Sequence, residues 1–180
     1  MVMAVRKRTT AAGERAVKFI EQLRHSTGEW AGEPFHLMEW QTNEIILPLF
    51  GTLNRDGTRQ YRTCYVEVPR KNGKTEIGAA VGTYLLFGDG EYGAQIYSAA
   101  GDREQAGLIY NAAAPMVQQS PALYKRAKVL DSRKRIIVPS TNSFWQVLSA
   151  EAYSKHGLNA HGILFDELHV QPNRELWDVL

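Results

Sequence analysis

The sequence predicts an α/β domain with a largely parallel central sheet flanked by helices. Its 180 residues are enough for one domain with a substantial core. The content of 44% hydrophobic and 22% charged residues is that of an ordinary globular protein. Short apolar segments rich in β-branched residues alternate with segments of helical periodicity, which is the order that βα units produce.

The N-terminal part of the chain is predicted to be an arm followed by two helices. After a flexible arm at residues 1–12, apolar residues recur with the i, i+3, i+4, i+7 spacing of an amphipathic helix over Glu14–His25. A second helix is predicted over Met38–Leu47, because Pro48 and Gly51 then end it.

The rest of the chain is predicted to alternate between strands and helices. Asp56-Gly57 is a hairpin turn signal, and the β-branched and aromatic stretch Tyr61–Val68 after it predicts a strand. The later predicted elements are a helix over Lys74–Phe87, a strand over Ala94–Ala99, a helix capped by Asp102, strands over Ile136–Val138 and Phe144–Leu148, a strand over Gly162–Phe165 and a helix capped by Asn173. Because that last helix is still running at Leu180, we expect the chain to be a fragment of a longer protein.

A candidate phosphate-binding loop covers Val68–Thr75. It ends in Gly-Lys-Thr between a predicted strand and a predicted helix, although Val68 stands where the usual pattern has its first glycine. Gly73 leaves room for a phosphate, and the helix N-terminus after it favours an anion. Lys74 can neutralise the β- and γ-phosphates of a nucleotide, and the Thr75 hydroxyl can bind Mg²⁺. An ordinary surface turn built on the Asn-Gly pair is the alternative.

Two consecutive carboxylates end the last predicted strand. Asp166 and Glu167 follow the apolar segment Gly162–Phe165. In phosphate-loop ATPases such a strand lies beside the loop strand, its first carboxylate holds Mg²⁺ and its second orients the attacking water. A solvated acidic pair is the alternative. The pair nevertheless follows the loop along the chain, in the order found in phosphate-loop ATPases. The two motifs together predict a phosphate-loop NTPase core.

Several short segments together resemble the ATPase domain of phage terminase large subunits. The resemblance begins near Pro34 and covers most of the chain, which implies an N-terminal segment at 1–33 and an ATPase domain at 34–180. The segments that carry it are GluTrpGln at 39–41, LeuPheGly at 49–51, ProArgLysAsnGlyLysThr at 69–75, SerAlaAlaGlyAspArgGluGlnAla at 98–106, LysHisGlyLeuAsn at 155–159 and LeuPheAspGluLeuHis at 164–169.

The resemblance implies a role for each matching residue. Gln41 would read the adenine base through its amide, and Arg70 would act on the γ-phosphate from within the same chain, although Lys71 beside it leaves that choice open. The implied catalytic residues are Arg70, Lys74 and Glu167; the implied nucleotide contacts are Gln41, Arg70, Lys71, Asn72, Gly73, Lys74 and Thr75; and the implied Mg²⁺ ligands are Thr75 and Asp166.

The resemblance also implies cofactors and partners. ATP and Mg²⁺ would drive double-stranded DNA into a procapsid in the host cell cytoplasm. The partners would be a portal protein, a small terminase subunit and further copies of the chain in a ring. A coupling strand and a C-terminal nuclease domain, which the family carries, are not expected within these residues. A cation that acts on a neighbouring subunit stays unassigned among Arg103, Arg133, Arg135 and Lys155.

Two other classes of function compete with this interpretation. A DExH-type helicase would also carry Asp166-Glu167-Leu168-His169, although helicase loops generally have a further glycine before Gly73. A degenerate ATPase fold kept as a binding module is the second, and the intact Lys74 and Thr75 argue against it. His169 is either a relay from the nucleotide site or an ordinary helix-start histidine.

Charge and cysteine content say less. The net charge is only +2, but Lys125, Arg126, Lys128, Arg133, Lys134 and Arg135 form a basic stretch that either contacts DNA or is a solvated face. Cys64, the one cysteine, is expected to be a buried, reduced thiol. No signal peptide and no membrane-spanning segment is predicted, so we expect a soluble intracellular protein.

Overall fold

The computed structural model describes residues 10–148, 157–170 and 173–179, and its central feature is a five-stranded sheet. The strands lie in the order β2-β3-β4-β1-β5. Their bounds are β1 Gln95–Ala99, β2 Lys128–Leu130, β3 Arg135–Val138, β4 Ser143–Val147 and β5 Gly162–Phe165.

The sheet is parallel where β1 lies between β4 and β5, and antiparallel towards the other edge. Ser98 of β1 is level with Val147 of β4 and Leu164 of β5, so these three strands end at the same side of the sheet. β3 pairs antiparallel with both β2 and β4. The predicted α/β class is therefore confirmed, with an antiparallel hairpin added at one edge.

Six α-helices surround this sheet in the described residues. They are α1 Ala11–Ile20, α2 Leu47–Gly51, α3 Lys74–Phe87, α4 Arg103–Gln119, α5 Pro121–Tyr124 and α6 Glu175–Val179. Helix α3 covers the residues predicted for it. The predicted caps of α4 and α6 are also confirmed, because Asp102 accepts a hydrogen bond from the Gln105 N–H and Asn173 from the Glu175 N–H.

Helix α1 begins and ends earlier than predicted. The Thr10 hydroxyl accepts a hydrogen bond from the Gly13 N–H, so the helix starts inside the stretch expected to be a flexible arm. The helix ends at Ile20, and Leu23 reaches the core from the turn that follows. The apolar spacing therefore indicated the buried side chains correctly but overstated the length of the helix.

The second predicted helix contains a π-helix. Residues 39–51 are helical, with a π-helix at Gln41–Ile46 that leads directly into α2. Pro48 was predicted to end the helix, but the helical backbone continues through it from the π-helix into α2. The helix continues to Gly51, whose backbone is in close contact with that of Gly13 in α1.

The strand predicted over Tyr61–Val68 is wrong. These residues pair with no strand in the described part of the chain, and residues 61–65 are exposed. Their β-branched and aromatic composition favours extended backbone, but a strand forms only where a partner supplies hydrogen bonds. Cys64, expected to be buried, is exposed for the same reason. The expected pairing of the acidic strand with this segment is also absent, since the neighbour of β5 is β1.

Helix α3 lies directly against the sheet, and this contact fixes the loop in front of it. A Cβ atom at Gly82 would overlap the Trp145 ring and the Leu164 side chain, so glycine permits the close approach. The Trp145 indole is fully buried and donates a hydrogen bond from Nε1 to Ser98 Oγ over 2.7 Å. Helix α4 packs beside α3 on the same face, which forms the main apolar core.

The opposite face of the sheet carries a smaller apolar cluster. It consists of Tyr97, Ala99, Leu148 and Leu176, with Phe144 and Phe165 packed against them. Among the described residues, every helix is too short or too polar to span a bilayer.

Candidate nucleotide-binding site

The turn before α3 has the backbone shape of a loop that wraps an anion. Lys71 and Gly73 both have positive φ, 67° and 74°. Asn72 folds back on the turn, because its Nδ2 donates to Pro69 O over 3.1 Å and to Arg70 O over 3.3 Å. The first intrahelical hydrogen bond runs from Ile77 N–H to Gly73 O, so the earlier N–H groups of α3 have no partner within the helix. These groups can bind phosphate.

Lys74 joins the loop to the acidic pair. Its Nζ lies 2.5 Å from Glu167 Oε1 and 3.2 Å from Asp166 Oδ1. The hydrogen bond that Lys74 donates to Glu167, reinforced by Asp166, raises the pKa of the Lys74 ammonium above its ordinary value, although partial burial opposes this. The fold therefore brings together two motifs that are 93 residues apart in the chain.

The two carboxylates have different environments. Asp166 is buried, and its N–H continues the parallel ladder by donating to Ala99 O over 2.9 Å. Glu167 is a third exposed and has a positive φ of 47°, which turns it away from the strand direction. The ladder thus fixes Asp166 and leaves Glu167 able to face a ligand.

Glu167 lies among several positive groups. The Lys74 hydrogen bond lowers the pKa of the Glu167 carboxyl below its ordinary value, and the charges of Lys74, His169 and Arg70 act in the same direction. His169 Nδ1 lies 3.3 Å from Glu167 Oε2. The positive charge of Arg70 therefore acts on Glu167. Lys71 is exposed and has no described contact with Glu167.

Gln41 lies against the loop, although the two are distant in sequence. Its side chain is 3% exposed, and a Cβ atom built on Gly73 would lie 3.9 Å from Gln41 Nε2. The Gln41 Oε1 accepts a hydrogen bond from the Met38 N–H over 2.9 Å. One lone pair of Oε1 is therefore used within the helix, and the amide NH₂ faces the loop.

The oxygen donors at this place suit Mg²⁺ in a nucleotide complex. The Thr75 hydroxyl belongs to the first turn of α3, and the Asp166 carboxylate lies on the other side of Lys74. The described residues contain no cluster of three or more histidine, cysteine or acidic groups that could hold a metal by themselves. Two oxygen ligands combined with phosphate and water oxygens are the donor set that Mg²⁺ prefers.

The candidates for a trans-acting cation do not meet at this site. Arg103 is exposed at the start of α4, Arg133 is exposed, and the Arg135 guanidinium lies over the Phe144 ring at 4.3 Å. Lys155 lies outside the described residues. Among the described residues, the ion-pair partners of Glu167 are Lys74 and His169.

Two polar clusters, one at each end of α3, were not predicted. Glu76, in the first turn of α3, is bound by residues 25–27. Asp89, beyond the other end of α3, is bound by Arg59 and His161. Nothing in the spacing of these residues indicates the contacts, because each cluster joins segments that only the folded chain brings together.

The fold and the site define an α/β protein of the phosphate-loop NTPase class, with the loop at the start of a helix and an acidic pair at the end of a neighbouring strand. The model of the terminase large subunit ATPase domain matches residues 39–180. The chain belongs to this family.

Two relatives agree with this assignment. The large terminase subunit of Enterobacteria phage HK97 is 33% identical over 157 residues, which cover 86% of this chain and 30% of that protein. The crystal structure of the HK97 bacteriophage large terminase superposes with a TM-score of 0.69 at 31% identity, covering 85% of this chain and 30% of that one. The chain thus spans about 30% of the length of these relatives, and neither of them favours the helicase alternative.

Proposed function

We propose that this chain binds ATP with Mg²⁺ at the loop 68–75 and hydrolyses the β–γ bond with Glu167 as the catalytic carboxylate. The observation that carries the proposal is the contact of Lys74 Nζ with Asp166 and Glu167. A loop lysine that reaches the acidic pair places phosphate, metal and attacking water within one small volume. This adjacency is what hydrolysis requires and what a surface turn would not need.

Each residue has one task in this proposal. The loop N–H groups, Lys74 and Arg70 neutralise phosphate charge, and Gln41 contacts the base. Thr75 and Asp166 hold Mg²⁺, which when bound neutralises the charge of the β- and γ-phosphates. Glu167 orients the attacking water and accepts its proton as the new bond to phosphorus forms. Lys71 and Asn72 shape the loop backbone.

The test is calorimetric titration of the chain with Mg²⁺ and a non-hydrolysable ATP analogue. Lys74→Ala is expected to weaken binding about 100-fold, because two hydrogen bonds between opposite charges are lost. Lys18→Ala, which removes an exposed lysine from the last turn of α1, is the matched control and should change affinity far less. Equal affinities of the wild type and a folded Lys74→Ala variant would contradict the proposal.

For the intact protein we propose that hydrolysis drives double-stranded DNA into a procapsid. The work would be done in the host cell cytoplasm by a ring of copies on a portal protein, with a small terminase subunit selecting the DNA. Membership of the terminase large subunit family supports these partners. We also propose that residues 1–33 form an N-terminal arm and helix attached to an ATPase domain at 34–180.

The basic stretch is the DNA contact that we propose for this chain. It follows the β2 edge of the sheet, and its exposed members have no ion pair in the described residues; they are Lys125, Arg126, Lys128 and Arg133. Exposed cations without ion-pair partners are available for phosphates, and the Arg126 guanidinium in addition lies 5.7 Å from the centre of the Phe87 ring.

Replacing Lys125, Lys128 and Arg133 by alanine tests the DNA contact. Each lost phosphate contact should reduce the slope of log affinity against log salt by about 0.9. The matched control replaces Lys18, Arg55 and Arg62, which are also exposed and carry the same total charge. Equal slopes for the two triple variants in fluorescence anisotropy would contradict the contact.

A further inference from the structure

Glu76, at the third position of α3, is held by a segment 50 residues earlier in the chain. The Ser26 N–H donates to Glu76 Oε2 over 3.3 Å, and the Ser26 hydroxyl donates to Oε1. The Thr27 hydroxyl donates to Oε1 over 3.3 Å, and His25 Nδ1 lies 3.6 Å from Oε2. The Glu76 side chain is only 18% exposed. Its carboxylate is therefore bound in place and is not a freely solvated charge.

The segment that holds Glu76 is itself anchored to the core. The His25 N–H donates to Glu33 O over 2.9 Å, and the His25 ring stacks on buried Phe35 with centroids 4.6 Å apart. His25 O accepts from the Gly32 N–H over 2.9 Å and from Gln119 Nε2, at the end of α4, over 3.3 Å. His25 therefore ties residues 25–27 to the core and to α4, next to the first turn of α3.

The phosphate loop has little other support. The side-chain hydrogen bonds of Asn72 stay within the loop, and Lys71 and Gly73 take up left-handed backbone conformations. In the described residues, Lys74 is the second residue of the first turn of α3 whose side chain makes polar contacts with a distant element, and its partners are Asp166 and Glu167. Phosphate would compete for Lys74, so Glu76 is the anchor that remains when a nucleotide binds.

We propose that Glu76 is a positioning residue and that it forms, with Ser26 and Thr27, a clamp that holds the first turn of α3 in register with the bound phosphates. The clamp acts through Lys74 and Thr75, which directly precede Glu76, and through the N–H groups of the same turn. This inference rests on the proposed nucleotide binding. It adds a function for residues 25–27, which lie outside the segment 39–180 that matches the family model.

Charge alone predicts the opposite result from the clamp. A carboxylate one residue beyond Thr75 repels phosphate, so a merely solvated Glu76 would make nucleotide binding tighter when it is removed. A clamp would make binding weaker, because the freed turn must be ordered by the ligand. The sign of the change in affinity therefore separates the two roles.

The experiment measures the Kd for Mg²⁺ and a non-hydrolysable ATP analogue in Glu76→Ala, Ser26→Ala and the double variant. We expect each single change to weaken binding about three- to ten-fold and the double variant to be no worse, since the partners act as a unit. Ser26→Thr, which keeps the hydroxyl, should retain most of the affinity. The matched control is Glu104→Ala, which removes an exposed acid from the first turn of α4.

A second measurement does not depend on nucleotide. Hydrogen exchange at residues 74–78 should be faster in Glu76→Ala than in the wild type, and unchanged in Glu104→Ala. If the wild type fails to bind nucleotide, the proposed function is overturned. Hydrogen exchange at residues 74–78 still decides in that case whether the clamp orders the first turn of α3. Affinity that is unchanged or tighter in both single variants, with unchanged exchange, would overturn the clamp. Thermal melts confirm that each variant is folded, and Ser26→Ala is the milder substitute if Glu76→Ala unfolds.

Discussion

Strand β5 has an ionic network at each end, and the two networks are built differently. At its amino end, the single carboxylate of Asp89 accepts from Arg59 Nη2 and from His161 Nε2, each over 2.7 Å. Burial raises the pKa of the Asp89 carboxyl, but the His161 hydrogen bond and the Arg59 charge bring it below the ordinary value. One carboxylate oxygen, Asp89 Oδ2, is thus shared between two donors.

At the carboxyl end of β5 the ratio is reversed. Asp166 and Glu167 share the single ammonium group of Lys74, and Glu167 keeps a left-handed backbone. Two carboxylates here face Lys74 and the exposed His169, whereas at the amino end two donors face one carboxylate, so the carboxyl end carries the larger share of negative charge. The amino-end network is thus suited to stabilising the fold, while the carboxyl-end network has the excess of carboxylate that the proposed metal–nucleotide site needs.

The largest expected effect concerns the carboxyl end. Glu167→Gln should lower the rate of phosphate release at saturating Mg²⁺ and ATP by about 10²- to 10⁴-fold, because the group that accepts the proton from water is lost. Binding of the ATP analogue should be equal or tighter, because a neutral amide holds Lys74 less strongly than a carboxylate does. A variant that still turns over within a few-fold of the wild type would remove Glu167 from the mechanism.

A smaller effect is expected at the amino end. Asp89→Ala should lower the free energy of unfolding in urea by about 2–3 kcal/mol, since His161 and Arg59 lose a largely buried partner. Nucleotide affinity should stay near that of the wild type. Asp178→Ala, which breaks an exposed pair with Arg174, is the control and should cost much less. Loss of nucleotide binding in a folded Asp89→Ala variant would show that the two networks are not independent.

The smallest effect is in the acid dependence of stability. The lowered pKa of Asp89 means that the unfolded chain binds this proton more readily than the native protein does. The stability contributed by Asp89 is therefore complete above its ordinary pKa of 3.8 and is lost as the pH falls through the lower native value. Between pH 6 and about pH 3, the free energy of unfolding in urea should fall less steeply in Asp89→Asn than in the wild type. Parallel curves for the two proteins would show that the acid sensitivity arises elsewhere.

Local signals were enough to predict the elements that carry the site. Helix α3 was predicted over the observed residues because a phosphate-loop pattern ending in Gly-Lys-Thr precedes it. Motif order also predicted that the loop and the acidic pair form one site, and Lys74 contacts both carboxylates, although the acidic strand does not pair with the segment before the loop. Local sequence is informative where one segment determines its own structure.

Other features depended on partners that the sequence does not reveal. Residues 61–68 have the composition of a strand, yet no neighbouring strand pairs with them in the described part of the chain. Strand β2, Lys128–Leu130, was missed because three residues carry too little pattern and its structure comes from pairing with β3. The contacts of Glu76 and Asp89 were missed for a similar reason, because each joins segments at least 30 residues apart.

The π-helix at Gln41–Ile46 has a consequence for the length of this segment. In an α-helix, side chains five positions apart point about 140° away from each other. In the wider π turn the angle between them is much smaller, so Gln41 can lie against the phosphate loop while Ile46, five residues later, is fully buried. Removing any single residue here would restore α-helical spacing, and either Gln41 or Ile46 would then point outward. The number of residues in this turn is therefore as much a determinant of the site as their identity.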